Sequence, residues 1–278
     1  MKLSRYKKHA FSSGGPRLND EERNQMRQAC KFNAQLMDYL RPHVRPGVKT
    51  IELDKLAHDY TIEHGHTPAC LGYQQGRSTP PFPGTICTSV NEVVCHGIPS
   101  NYSLQEGDIV NLDLTTIVDG WHGDQSETFL IGEVSDEARK VTQAAFDCLW
   151  LGIRAIKPGG KVNDIGRAIE AHAIPLGFSV VQEYQGHGLG RRFHQKPDIH
   201  HFEQQGDRTR IEPGVCFTIE PMINVGQWRT RGDDPDGWTV RTVDGKLSAQ
   251  FEHSILMTET GPEVLTLTKD GPQEGDKL

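Results

Sequence analysis

No apolar run in this 278-residue chain approaches the ~20 residues that a bilayer crossing needs. The basic start, MKLSRYKK, leads into HAFSSGGPRLND rather than into the apolar core of a signal peptide, so neither a membrane nor a secreted location is expected, and the cytoplasm is. The six cysteines, Cys30, Cys70, Cys87, Cys95, Cys148 and Cys216, include no CxxC pair and are widely spaced among apolar neighbours. That pattern excludes both a zinc knuckle and a disulfide framework, and it leaves buried free thiols. Basic residues are outnumbered: 30 Lys and Arg against 37 Asp and Glu give a formal charge of -7, which argues against general nucleic-acid binding. What the chain does have is 35% hydrophobic content, sufficient for one large core or two small ones.

Four helices are legible. NDEERNQMRQACKFNAQLMDYL opens with Asn19 and Glu22 in capping-box spacing and carries Met26, Cys30, Met37 and Leu40 on one side. A second helix is expected from Thr50 to Gly65, a third from a Ser135 cap to the breaker KPGG, and a fourth from Asn163 to just before Gly177. The strands expected are TICTSVNEVV, DIVNLDLTTIV, WHGDQSETFLI, FSVVQEY, VCFTIEPMINV and SAQFEHSILMT. One internal echo stands out: at an offset of 112, Pro46, Gly47, Lys49, Ile62 and Gly65 match Pro158, Gly159, Lys161, Ile174 and Gly177. A duplicated α+β unit, with a cleft between two related halves, accounts for the echo.

The glycines of GHGLGRRFH do not make a phosphate loop, because they fall as GxGxG, no Lys-Ser/Thr pair follows, and Pro197 stops a helix from growing. In a plain strand His187 and His194 would face opposite ways, and they converge only if a turn or bulge lies between them. The acids have clearer directions. Asp113 shares a strand face with Asn111 and Thr115, and folding back at Asp119-Gly120 puts Asp124 opposite or diagonal to Asp113 on that face. Glu220 is expected on the face of Cys216 and Thr218, and Glu252 on that of Gln250 and Ser254. Each acid alone also fits the wet side of a half-buried strand. However, these strands carry no Lys or Arg, and carboxylates converging without cations repel one another unless a metal neutralises them. An oxygen-rich set with one or two imidazoles suits Mn, Fe(II), Co or Zn, and hydrolysis is the chemistry that two such ions support.

The motifs EVVCHGIP, GDIVNLDLTTIVDGWHGD, GHGLGRRFH, FTIEPMIN, DGWTVRT and SAQFEHSI, in this order from about residue 20 to 268, closely resemble the methionine aminopeptidases of type I. The resemblance implies a duplicated pita-bread fold, α+β, with an antiparallel sheet, flanking helices and pseudo-twofold symmetry. An extension over residues 1–18 would precede one catalytic domain over 19–278, made of half repeats at about 19–134 and 135–270. It implies two divalent ions (Co, Mn, Fe(II) or Zn), with Asp113 on one, His187 and Glu220 on the other, and Asp124 and Glu252 bridging. His194 would bind the scissile carbonyl, His96 would contact the amide beyond it, and Glu220 would shuttle the proton. A methionine side chain would lie against Cys70, Tyr73, Phe82, Cys87, Phe193 and Trp238, although each of these also fits an ordinary core. The implied substrates are nascent polypeptide N-termini whose second residue is small. Ribosome docking is a further expectation, and the chain is expected to act as a monomer, without membrane or specific nucleic-acid binding.

Two segments depart from the family pattern. QQGRSTPPFPG is long and proline-rich, which puts Phe82 in doubt, and RGDDPDG before Trp238 reads as an acidic surface insertion. Two alternatives stay open: a prolidase or X-Pro aminopeptidase on the same fold, and a metal-free relative that binds ribosomes or chromatin.

Overall fold

A computed structural model describes residues 14–74, 76 and 79–278. The expected N-terminal extension therefore lies outside the described residues as far as residue 13, as do residues 75, 77 and 78 of QQGRSTPPFPG. Helix α1 (Asp20–Leu40) starts at the Asn19 capping box: Asn19 Oδ1 accepts from Glu22 N at 3.0 Å, and Glu22 Oε2 accepts from Asn19 N at 2.9 Å. Met26, Cys30, Met37 and Leu40 are all buried, as the helical period requires. Asn19→Ala is expected to lower stability by about 1 kcal/mol. A urea midpoint equal to that of the parent would show that the cap contributes nothing.

Helices α2 (Thr50–Glu63), α3 (Asp136–Ala155) and α4 (Val162–Ala173) follow the expected spans, and α3 is capped by Ser135. The echo seen in the sequence has a physical counterpart. Lys49 and Lys161 precede α2 and α4, and their N–H groups are held by Glu52 Oε2 at 2.8 Å and Asp164 Oδ2 at 3.0 Å. Gly47 N donates to Leu104 O and Gly159 N to Ile211 O, each at 2.7 Å; Thr50 N donates to Tyr102 O and Val162 N to Thr209 O, each at 3.0 Å.

All strand pairs among the described residues are antiparallel. The long strand Ile109–Val118 pairs along its whole length with Trp121–Leu130 through the Asp119-Gly120 turn, where both residues have positive φ (51° and 81°), the two-residue hairpin geometry. On its other edge lie Thr67–Pro68 and Ile86–Val90, end to end. A five-stranded sheet runs Pro262–Val264, His253–Met257, Cys216–Ile219, Gly186–Gly188, Gln195–Ile199. Helices α1 and α2 cover the first sheet through Leu36, Leu53, Leu112 and Leu114, whereas α3 and α4 pack on Phe217, Ile219 and Ile255.

Several expected strands prove to be broken. TICTSVNEVV turns at Asn91, whose positive φ of 54° separates Ile86–Val90 from Val93–Cys95, and these join different sheets. VCFTIEPMINV stops at Ile219 and resumes at Met222, because Pro221 has no N–H to continue a ladder. SAQFEHSILMT is interrupted at Phe251-Glu252, where the Glu252 N–H leaves its own sheet and donates to Ser126 O at 2.9 Å. Only Ser179–Val180 of FSVVQEY is strand. Glu220 and Glu252 thus sit at breaks, not within pleated strands.

Candidate metal centre and active site

The hairpin brings the first two acids together. Thr115 is in register with Asp124 and Asp113 with Ser126, so Asp113 and Asp124 are diagonal neighbours on one face. The Thr115 hydroxyl donates to Asp124 Oδ1 at 2.7 Å, which leaves Asp124 Oδ2 directed at His187 Nε2, 3.6 Å away. Glu220 enters from the break after Ile219. Its N–H is taken by His201 Nε2 at 3.0 Å, its Oε1 accepts from the Thr218 hydroxyl at 2.7 Å, and its Oε2 accepts from Gln250 Nε2 at 3.2 Å. Thr218 Oγ1 also accepts the His187 backbone N–H at 3.0 Å, so one hydroxyl ties two candidate ligands together. The bridge from Glu252 to Ser126 sets Glu252 beside them, and ligand atoms of Asp124, His187 and Glu252 all lie within 4.8 Å of one another.

These groups are buried and short of positive charge. Burial pushes the Asp113 carboxyl up to about 7. Burial first, and then the neighbouring carboxylates, hold Asp124, Glu220 and Glu252 well above the usual carboxylate range. Among the described residues no Lys or Arg is ion-paired with any of the four; Lys196, which lines the same cavity, pairs with Asp198. Burial lowers His187 to about 4, so its ring is neutral, the form that ligates a metal. Four carboxyls, one neutral imidazole and no competing cation fit a divalent metal centre, since a cation removes the repulsion that burial intensifies.

The centre opens into a cavity of about 640 Å³. Every residue assigned from the sequence lines it: Asp113, Asp124, His187, Glu220, Glu252, His96, His194, Cys70, Tyr73, Phe82, Cys87, Phe193 and Trp238. His187 and His194 do converge, with ring centroids 4.2 Å apart, because the chain turns between Gly186–Gly188 and Gln195–Ile199 and the register shifts at His187/Gly188. His194 Nδ1 is 2.8 Å from Tyr73 Oη. Burial lowers the histidine to about 3 and raises the tyrosine, so both groups are neutral across this contact. With the phenol as donor to Nδ1, the Nε2–H of His194 is free to donate elsewhere.

His96 has a positive φ of 58°, a costly conformation for a residue with a Cβ. It is held there by the next residue: a Cβ on Gly97 would meet Thr88 O at 2.3 Å, so the chain closes against the strand Ile86–Val90 only with glycine. The His96 ring lies edge-on to Tyr184 and Trp238, with centroids at 5.6 and 6.1 Å.

Residues Cys70, Phe82, Cys87 and Trp238, with Tyr73 and Phe193 against them, form a single apolar cluster. Both unusual segments contribute to it. Trp238 Nε1 donates to Pro80 O at 2.8 Å, Phe82 is edge-on to the indole at 5.3 Å, and Asp236 Oδ1 accepts from Trp238 N at 2.7 Å and Thr239 N at 2.8 Å. The acidic segment is therefore more than a surface insertion, since its aspartate fixes the backbone that carries Trp238 into the cavity. Sequence reasoning missed Gln250, His201, Tyr184 and the two threonines as site residues. Thr115 and Thr218 were legible as strand neighbours of Asp113 and Glu220, whereas His201 reaches Glu220 only through the tertiary fold.

Residues 24–259 match Metallopeptidase family M24. Methionine aminopeptidase A of Synechocystis sp. is 52% identical over 251 residues, covering 90% of this chain and 96% of that relative. The chain belongs to the methionine aminopeptidases of metallopeptidase family M24. The crystal structure of methionine aminopeptidase from Rickettsia prowazekii superposes with a TM-score of 0.86 at 43% identity, over 91% of this chain and 99% of that one. The Xaa-Pro dipeptidase from Bacillus anthracis, at 22% identity and a TM-score of 0.72 over 93% of this chain and 63% of its own, shares the fold alone. The α+β pita-bread class inferred from the sequence motifs is borne out. No helix among the described residues is long and apolar enough to cross a membrane.

Proposed function

We propose that this metallopeptidase removes the initiator methionine from nascent polypeptides in the cytoplasm when the second residue is small. The observation that carries the reading is one cavity lined both by four carboxyls and an imidazole, with ligand atoms of Asp124, His187 and Glu252 within 4.8 Å of one another, and by an apolar cluster of sulfur and aromatic groups. Such a cluster suits a thioether. Asp113 would hold one ion, His187 and Glu220 a second, and Asp124 and Glu252 would bridge the two; Co, Mn, Fe(II) or Zn suits this donor set. Bound there, the ions would polarise the scissile carbonyl and lower the pKa of water.

The rest of the chemistry falls to the chain. His194, its Nδ1 occupied by Tyr73, presents Nε2–H to the developing oxyanion. Glu220, oriented by Thr218 and Gln250, accepts and returns the proton. His96, held by Gly97 between Tyr184 and Trp238, meets the amide beyond the scissile bond. The cluster of Cys70, Tyr73, Phe82, Cys87, Phe193 and Trp238 receives the methionine side chain. The matching hydrogen bonds before α2 and α4 support reading residues 19–278 as one domain of half repeats, at about 19–134 and 135–270.

Ribosome docking and a monomeric state complete the proposal. Retention of all five ligand positions favours this reading over a metal-free binding relative.

A matched pair of peptides tests it. With Mn²⁺ or Co²⁺ added, methionine should be released from Met-Ala-Ser-Tyr at least ~10²-fold faster than from Met-Lys-Ser-Tyr, since a long second side chain would have to displace packed protein beside His96. Equal release from both, or release of residues beyond the first, would contradict the proposed pocket. Cleavage of an X-Pro peptide in preference to either would favour the prolidase reading.

A further inference from the structure

We propose that Cys70 and Cys87 form a dithiol modification site for hydroperoxides inside the substrate cavity, and that the disulfide formed there switches the enzyme off. The geometry comes from the sheet. Thr67–Pro68 and Ile86–Val90 lie end to end on the same edge of Ile109–Val118. Cys87 is in register with Asp113. Ala69 N donates to Thr115 O at 3.0 Å, and the Cys70 thiol reaches the Thr115 hydroxyl at 3.8 Å. Asp113 and Thr115 share one face, so both thiols are delivered to neighbouring places over it. There they belong to one cluster and line one cavity.

The other cysteines are placed differently. Cys30, Cys148 and Cys216 are buried in the packed cores, and Cys95 reaches the cavity from the strand Val93–Cys95 in a separate sheet. A cavity wide enough for a methionine side chain admits a hydroperoxide. One thiol gives up its proton and attacks the peroxide as a thiolate, breaking the O–O bond; the leaving oxygen takes the proton and departs as water or an alcohol, and the sulfur becomes a sulfenic acid. The second thiol displaces its hydroxyl as water, and the S–S bond forms. Two thiols lose two electrons, and the hydroperoxide gains them.

Forming the bond brings the two sulfurs to about 2.05 Å of each other. The loop it closes carries Tyr73 and Phe82. Tyr73 N donates to Cys70 O at 2.9 Å, and Tyr73 Oη holds His194 Nδ1 at 2.8 Å, so displacement of Cys70 is passed to the proposed oxyanion donor. The consequence for turnover rests on the proposed function; formation of the bond does not.

The test uses the full chain loaded with Zn²⁺, an ion that peroxide does not oxidise. It is treated with hydrogen peroxide, quenched with an alkylating reagent, and digested for mass spectrometry. The expected result is a Cys70–Cys87 cross-linked peptide, with methionine release from Met-Ala-Ser-Tyr falling on the order of 10²-fold, as a ~1 Å misplacement near the chemistry can do, and returning with dithiothreitol. Cys87→Ser, compared with its own reduced rate, should give no such cross-link and no dithiothreitol-reversible loss. A cross-link to Cys95, sulfinic acid on either residue without a cross-link, or a cross-linked protein with full turnover would each overturn the proposal. If untreated protein releases no methionine yet the cross-link maps, the proposed function fails and the dithiol site stands.

Discussion

Glu252→Ala is expected to slow methionine release by at least ~10³-fold, because the polarisation it would disrupt is worth several kcal/mol at 1.36 kcal/mol per tenfold. Metal analysis should show a reduced complement at the same time. The reason lies in how Glu252 is held. Its N–H is fixed to Ser126 O, its carboxyl lies within 4.8 Å of the ligand atoms of Asp124 and His187, and burial together with Asp124 and Glu220 raises that carboxyl. A bridging carboxylate lost from this place leaves Asp124 as the one carboxylate shared by the two proposed ions. Glu252→Gln keeps the volume and removes the charge, so it should lose metal and activity in the same way. In the metal-free state it should melt no lower than the parent, since a repulsive buried carboxyl has gone. Wild-type turnover and wild-type stoichiometry in Glu252→Ala would make the bridging assignment wrong.

His194→Ala should behave differently. Turnover should fall on the order of 10²-fold, as it does when one oxyanion donor is removed, with metal content preserved. His194 stacks against Phe193 and lies beside His187 at 4.2 Å, yet its Nδ1 is engaged by Tyr73. A ring held in that way contributes its Nε2–H to the transition state more than to ground-state binding, so KM should change little while kcat carries the loss. Tyr73→Phe removes the hydroxyl that fixes the tautomer, and it should reproduce part of the kcat effect without loss of metal. If His194→Ala emerges with less metal than the parent, His194 is a ligand and the oxyanion role must pass elsewhere.

Both predictions concern side chains whose identity was legible before their arrangement. Asp113 and Asp124 were placed on one face by period-two alternation and an Asp-Gly turn, which are local rules, and the hairpin obeys them. The Asn19 capping box and the Ser135 cap were legible for the same reason. Alternation puts Glu220 beside Thr218, as their hydrogen bond bears out, but the unbroken strands expected at Glu220 and Glu252 do not form: one stops before Pro221, and the other breaks where the Glu252 N–H crosses to Ser126. Their convergence is a property of contacts between sheets, which no local period encodes.

The pocket shows the same division. Cys70, Phe82 and Trp238 were assigned through family motifs, but the proline-rich segment left Phe82 in doubt, and nothing local joined that segment to RGDDPDG. In the fold, Pro80 O receives the Trp238 indole and Asp236 fixes the backbone behind it. The helices, their caps, the hairpin, the free buried thiols and the chemical types of the site residues are legible from the residues alone, because each depends on neighbours a few positions away. Only packing brings His201 and Gln250 onto Glu220, Tyr73 Oη to His194 Nδ1, and Cys70 and Cys87 into one cluster. Those contacts join residues from 17 to 121 positions apart in the chain, and hydrogen bonds of that span form only once the sheets and helices have packed.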